Sequence, residues 1–204
     1  MRVLLPALIL LAIAAPAAHA YPQLPIPLPP VEHNPADRLA DLPIEDSLYD
    51  GAAKCRNRRH AGIAALSNWL GANTRGAFWG SYRCEKWGKS SASLHAENRA
   101  IDWHLDAFAK ADRRAADKLI RLLLAPDRLG NPQALARRMG VEELIWDCGY
   151  WGAGMDGFKP YSVCYKRNGQ KRKRFDRTAA HQDHIHIGMT KAGANARTSF
   201  WTAG

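Results

Sequence analysis

The chain has 204 residues and a formal net charge of +10. Beyond its first twenty residues no stretch is apolar over the roughly 20 residues that a spanning helix needs, which excludes a multi-span helical membrane protein. The charge is divided, with one basic and six acidic groups in residues 21–50 (−5) and a net +14 on residues 51–204, so the main domain is basic and suited to polyanionic surroundings.

Residues 1–20 read as a secretory signal: Arg2, an apolar run from Val3 to Ile13 broken only by Pro6, and Ala18-His19-Ala20 as a small-residue cleavage site. Export to a periplasmic or extracellular space makes nucleic acid an unexpected partner despite the basic charge. Residues 21–50, proline-rich and acidic, predict an extended spacer that could fold back on the basic domain as a pro-segment. Residues 51–204 then form one compact domain without internal repeats. Its cysteines, Cys55, Cys84, Cys148 and Cys164, predict two disulfides. Three pairings are possible, and the one joining nearest neighbours is expected, Cys55 with Cys84 and Cys148 with Cys164.

Within the domain, residues 60–72 predict a short helix ending near Gly71. Next comes AIDWHL, residues 100–105, which alternates Ala100, Asp102 and His104 with Ile101, Trp103 and Leu105, as a strand does. Residues 110–124 predict an amphipathic helix with Ala111, Ala115, Leu119, Leu122 and Leu123 inward. A third helix is expected from Pro132 to Met139, capped by Asn131 and closed by Gly140. VEELIWD, residues 141–147, is a second strand candidate and HIHIGM, residues 184–189, a third. Helices and strands in no strict alternation indicate an α+β fold. The run Lys171-Arg172-Lys173-Arg174 after Asn168-Gly169 predicts an exposed hairpin tip or loop, solvated by default and otherwise suited to an anionic wall polymer.

Chemistry concentrates in two distant segments, His95 with Asp102, and His181, Asp183, His184 and His186 in AHQDHIH. On a strand His184 and His186 share one face while Ile185 and Ile187 take the other, and Asp102 shares a face with His104. If the two strands adjoin, two imidazoles and a carboxylate can converge on one cation and leave a fourth position open, the composition of a catalytic zinc site. Calcium and magnesium prefer all-oxygen shells. His104 is at most an outer neighbour, His19, His33 and His60 need no function, and the tryptophans at 79, 87, 103, 146 and 151 are expected in core and rim packing.

Residues 79–107, WGSYRCEKWGKSSASLHAENRAIDWHLDA, resemble the S-x-H-x-x-G-x-A-x-D segment of zinc D-alanyl-D-alanine carboxypeptidases. They are more similar still to the extensin-like C-terminal domains of that superfamily, with their glycine-serine-tyrosine-x-cysteine lead-in. LIWDCGYW through HQDHIHIGM resembles the closing D-H-x-H segment. Murein endopeptidases, lysostaphin-type enzymes and the hedgehog signalling domain belong to the same superfamily.

The resemblance implies a small antiparallel sheet carrying the zinc site, flanked by helices, with His95, Asp102 and His186 as ligands. It further implies Asp183 as general base, His184 as the group that polarises the carbonyl or holds the oxyanion, and His181 close by. Arg83, with Arg75 in reserve, would bind the substrate's terminal carboxylate, and Ser93 would line the substrate site. Asn98 stands where the family has glycine, and asparagine tolerates the left-handed backbone that such a turn uses. The implied function is a secreted zinc peptidase acting on peptidoglycan peptides, of D,D-carboxypeptidase or endopeptidase type. The alternative is a non-catalytic zinc domain binding wall or matrix polymer. A metal-dependent nuclease would need an asparagine and a second histidine at spacings this chain lacks.

Overall fold

The computed structural model describes residues 33–203. The signal segment and the first part of the spacer lie outside the described residues. The fold is α+β, a six-stranded antiparallel sheet with helices packed against it. In chain order the elements are α1 (Ala61–Asn73), β1 (Ala77–Gly80), β2 (Ala100–His104), α2 (Lys110–Leu124), α3 (Ala134–Met139), β3 (Val141–Trp146), β4 (Gly149–Gly152), β5 (Lys159–Pro160), β6 (His184–Met189), α4 (Lys191–Ala194) and α5 (Ser199–Thr202). The sheet order is β1-β2-β6-β3-β4-β5, so the last long strand inserts between β2 and β3.

That insertion decides which residues meet. Asp102 lies opposite His186 and His104 opposite His184 across β2 and β6, while Ile145 of β3 faces His186 from the other side. Side chains alternate across a sheet, so Ile101, Trp103, Ile185 and Ile187 enter the main core while Asp102, His184 and His186 gather on the opposite face. The core is completed by Leu66 and Leu70 of α1 and by Leu135 and Met139 of α3. α2 contributes Ala116, Leu119, Ile120 and Leu123, at the i, i+3, i+4, i+7 spacing of one helix face. Its inward stripe is thus turned slightly from the one expected: Leu119 and Leu123 are buried, Ala115 and Leu122 half-buried, and Ala111 exposed. Trp103, Trp146 and Trp151 are buried, whereas Trp79 and Trp87 lie on the surface.

Two further expectations differ from the structure. α3 starts at Ala134, two residues later than predicted, because Gln133 sits in the left-handed region at φ 55°. Its amide donates to Met155 O at 2.7 Å, and Ser47 Oγ lies 3.1 Å from its Oε1, contacts that hold it off the helix. Asn131 donates to the Asp127 carboxylate instead of capping. Gly140, at φ 75°, closes the helix as expected.

The spacer is also not free from Asn34 onward. Asn34 caps a 3₁₀ turn, Pro35–Leu39, whose Ala36 and Leu39 are part of the main core. The acids then find cations and donors on the domain: Asp41 pairs with Arg128, Asp50 with Lys191 at 2.5 Å, and Glu45 accepts from Ser199. Proline removed regular structure from this segment without removing its packing, so the compact unit includes residues 34–50.

Both disulfides join sequence neighbours, Cys55–Cys84 and Cys148–Cys164, with no free cysteine among the described residues. They are the mark of folding in oxidising surroundings. No described helix is long and apolar enough to cross a membrane. The second bridge closes a 16-residue separation, for which chain entropy predicts a loss of roughly 3 kcal/mol on replacing both cysteines by serine. For a chain of this size that lowers Tm by roughly 6–12 °C, measurable by calorimetry. An unchanged Tm would show that the bridge does not restrain the unfolded chain. A tight turn through Gly169 joins Tyr165 to Lys171, and the basic run, residues 171–174, lies exposed in the loop that follows this turn rather than at its tip.

Candidate metal centre

His95 reaches the sheet from a one-turn 3₁₀ helix, Leu94–Glu97. Ser93 Oγ accepts from His95 N at 3.3 Å and so caps this turn. Asn98 ends it in the left-handed region, φ 57°, and the chain then enters β2. Asparagine is one of the few residues other than glycine that accept this conformation readily. The turn lies flat on β6 because residue 188 is glycine: a Cβ there would stand 2.3 Å from the Leu94 side chain.

Three donor atoms converge, from His95, Asp102 and His186, all buried and all within 4.8 Å of one another. His95 Nε2 lies 3.0 Å from Asp102 Oδ1 and 2.9 Å from His186 Nδ1, and His186 Nδ1 lies 3.4 Å from Asp102 Oδ1. Tetrahedral zinc with bonds of roughly 2.0–2.1 Å would put its donors about 3.3 Å apart, so small shifts accommodate an ion. The neighbours fix which nitrogen is free. His95 Nδ1 lies 2.9 Å from the Ser81 carbonyl, so Nδ1 carries the proton and Nε2 the lone pair. His186 Nε2 lies 3.0 Å from Glu143 Oε1, a charge contact that is not aligned as a linear hydrogen bond, and this leaves Nδ1 to face inward.

Three lone-pair atoms in a buried space call for a cation. The electrostatics agree: burial alone would depress His186, but the carboxylates of Asp102 and Glu143 outweigh it and raise the imidazole to about 9. Burial would raise Asp102, yet its bonds to His186 and His95 hold it far below the usual carboxylate range. Burial dominates at His95 and lowers it. The trio can therefore hold a metal ion in place of the proton that the site otherwise attracts.

Glu143 was missed by sequence reasoning. It sits on the face of β3 turned to His186, and its other oxygen accepts from Tyr49 OH at 3.0 Å. A carboxylate behind a ligating histidine fixes its tautomer and raises its basicity. Glu143→Gln is expected to weaken metal affinity roughly 10–100-fold with the fold intact, read by competition with a chromogenic chelator. Unchanged affinity would show that His186 is oriented without Glu143.

Beside the trio stands a second pair. Asp183 Oδ1 accepts from His184 Nδ1 at 2.8 Å, and Thr178 Oγ1 donates to its Oδ2 at 2.5 Å. Burial would raise Asp183, but these bonds win and keep it ionised. His184 Nε2 is buried without a hydrogen-bond partner, 3.4 Å from Asp102 Oδ1. The pair thus aims a free imidazole nitrogen at the trio, while both Asp183 oxygens are occupied behind it.

His181 adopts a left-handed φ of 54°, and its ring lies tilted 4.6 Å from His184 and edge-on 5.8 Å from His186. Burial, then the neighbouring imidazoles, hold it well below the usual imidazole range. Trp79, half exposed, packs edge-on to His184 at 5.3 Å and forms one wall.

The expected substrate-binding residues fare differently. Arg83 does reach the site, but its guanidinium pairs with Asp102 Oδ2 and with Glu85 at 3.1 Å, so it holds a ligand carboxylate in place. Arg75 pairs with Asp112 at 2.8 Å, outside the trio. Ser93 is buried and serves as a cap, since its hydroxyl is committed to the His95 turn. Compared with known protein families, curated proteins and solved structures, the chain matches none.

Proposed function

We propose that the chain is an exported zinc-dependent peptidase that hydrolyses amide bonds of bacterial cell-wall peptides, as a D,D-carboxypeptidase or endopeptidase, on a fold of the superfamily its motifs resemble. The observation that carries this reading is the meeting of two distant segments: three buried metal-donor atoms beside an Asp-His pair whose free nitrogen points at them. A purely structural zinc site has four protein ligands, whereas this one offers three among the described residues.

Two imidazoles and a carboxylate suit zinc among the common divalent ions. When bound there, zinc would polarise the substrate carbonyl and lower the pKa of a water molecule to about 7. The chain's own groups then move the proton. In place of the Asp183 base that the resemblance implies, whose two oxygens are engaged by His184 and Thr178, His184 Nε2, oriented by Asp183, would take it from the attacking water and return it to the leaving amine, with the Asp183 charge balancing the imidazolium. Arg83, the hydrogen bond that His95 donates to the Ser81 carbonyl and the charge contact of Glu143 behind His186 keep the ligands still while this happens.

The test is to load the purified chain with zinc, incubate it with peptidoglycan and follow released D-alanine or cleaved muropeptides by mass spectrometry. Zinc-dependent cleavage is expected. Full occupancy with no amide cleaved on any wall substrate would favour the polymer-binding alternative.

A further inference from the structure

A second hollow, about 320 Å³, opens behind the Leu94–Glu97 turn, between residues 54–60 and the chain from Lys191 to Arg197. None of the metal trio lines it. Its lining is cationic, and the charges divide into two sets. Arg99, on the floor, is buried and committed to Glu142 at 2.9 Å and Glu97 at 3.1 Å, and Lys191 to Asp50. Lys54, Arg56, Arg58 and Arg197 are exposed on the walls and have no carboxylate within 4.0 Å among the described residues. Glu97, the one acid in the lining, is already engaged by Arg99 and by Ala53 N.

These four cations are not on a loose tail. Cys55 is tied to Cys84, Arg56 N donates to Ala96 O at 2.6 Å, and Arg58 N donates to Arg56 O at 2.8 Å, a tight turn that brings both arginines to one hollow. Arg197 follows Ala196, which is held left-handed at φ 55°. Like charges gathered around a concavity on a braced backbone repel one another, and a multiply charged anion removes that repulsion. Arginine forks match phosphate oxygens bidentately, whereas a single carboxylate would satisfy only one of the three arginines. The volume corresponds to roughly ten waters of the liquid, room for more than a bare ion.

We infer that this hollow is a binding site for a phosphate group carried on a saccharide-sized ligand. The inference stands apart from the peptidase reading, since it uses none of that site's residues. The probes are glucose 6-phosphate, inorganic sulfate and phosphatidylglycerol vesicles, titrated calorimetrically or by co-sedimentation against the full chain at low salt. One saturable equivalent of the sugar phosphate is expected, weakened about tenfold or more by Arg56→Gln with Arg58→Gln, and unaffected by Lys171→Gln with Arg172→Gln in the exposed basic run, which does not line the hollow. Binding to vesicles in place of the soluble ester, lost in the same double variant, would assign the phosphate to a lipid head group. Arg197→Gln serves as a second variant if the double one fails to fold, judged by its Tm. Equal affinity for sulfate, no saturable binding, or wild-type binding by the hollow's variants would overturn the inference.

Discussion

Asp183→Asn and His184→Ala should each leave zinc content at wild-type level and lower the rate of amide hydrolysis by roughly 10²–10⁴-fold, the usual worth of positioned acid-base catalysis. The expectation follows from geometry: neither side chain is among the three converging donors, yet His184 Nε2 faces them and Asp183 holds that ring by its other nitrogen. Asparagine keeps the shape and removes the charge that stabilises the imidazolium, so the two losses should be of similar size, and the double variant should be little worse than either single one. Parallel zinc analysis and muropeptide turnover check this. Zinc lost together with activity in His184→Ala would make His184 a ligand. Full turnover in Asp183→Asn would remove the pair from the mechanism.

Asp102→Asn should have the opposite profile, losing the metal and all hydrolysis together. Asp102 touches His95, His186 and Arg83 at once and is the only carboxylate in the trio. Without its charge the imidazoles lose the group that draws a cation between them, and Arg83 is left without its deepest partner. The affinity loss should exceed the roughly 10–100-fold assigned above to the outer carboxylate Glu143. Zinc bound with wild-type affinity by Asp102→Asn would place the ion elsewhere.

Much of this arrangement was legible in the sequence because the decisive strands alternate cleanly. In residues 100–105 and 184–189 every second side chain is apolar, so the phase of Asp102, His184 and His186 follows from the pattern alone. The register between those strands did not follow from it. β6 pairs with β2 across the whole of residues 105–183, and only the assembled sheet puts Asp102 opposite His186.

Glu143 was hidden for a different reason. All six residues of β3 are buried and a register shift falls between Val141 and Glu143, so there is no polar face to read and the phase is displaced. Ser93 and Arg83 were identified as site residues by motif, and their positions near His95 and Asp102 reflect that, but their polar atoms are used in holding the ligands. Residues 34–50 show the limit of composition: proline and acid content describe local conformation, whereas Ala36 and Leu39 enter the core through tertiary packing.

His95, Asp102 and His186 are expected to grip one ion between them. Equilibrium dialysis of the chelator-stripped chain against zinc measures this most directly. One tightly held equivalent is predicted for the wild type and for Asp183→Asn, and none for His95→Ala or His186→Ala. An undiminished equivalent in both histidine variants, or no zinc held by the wild type, would contradict it.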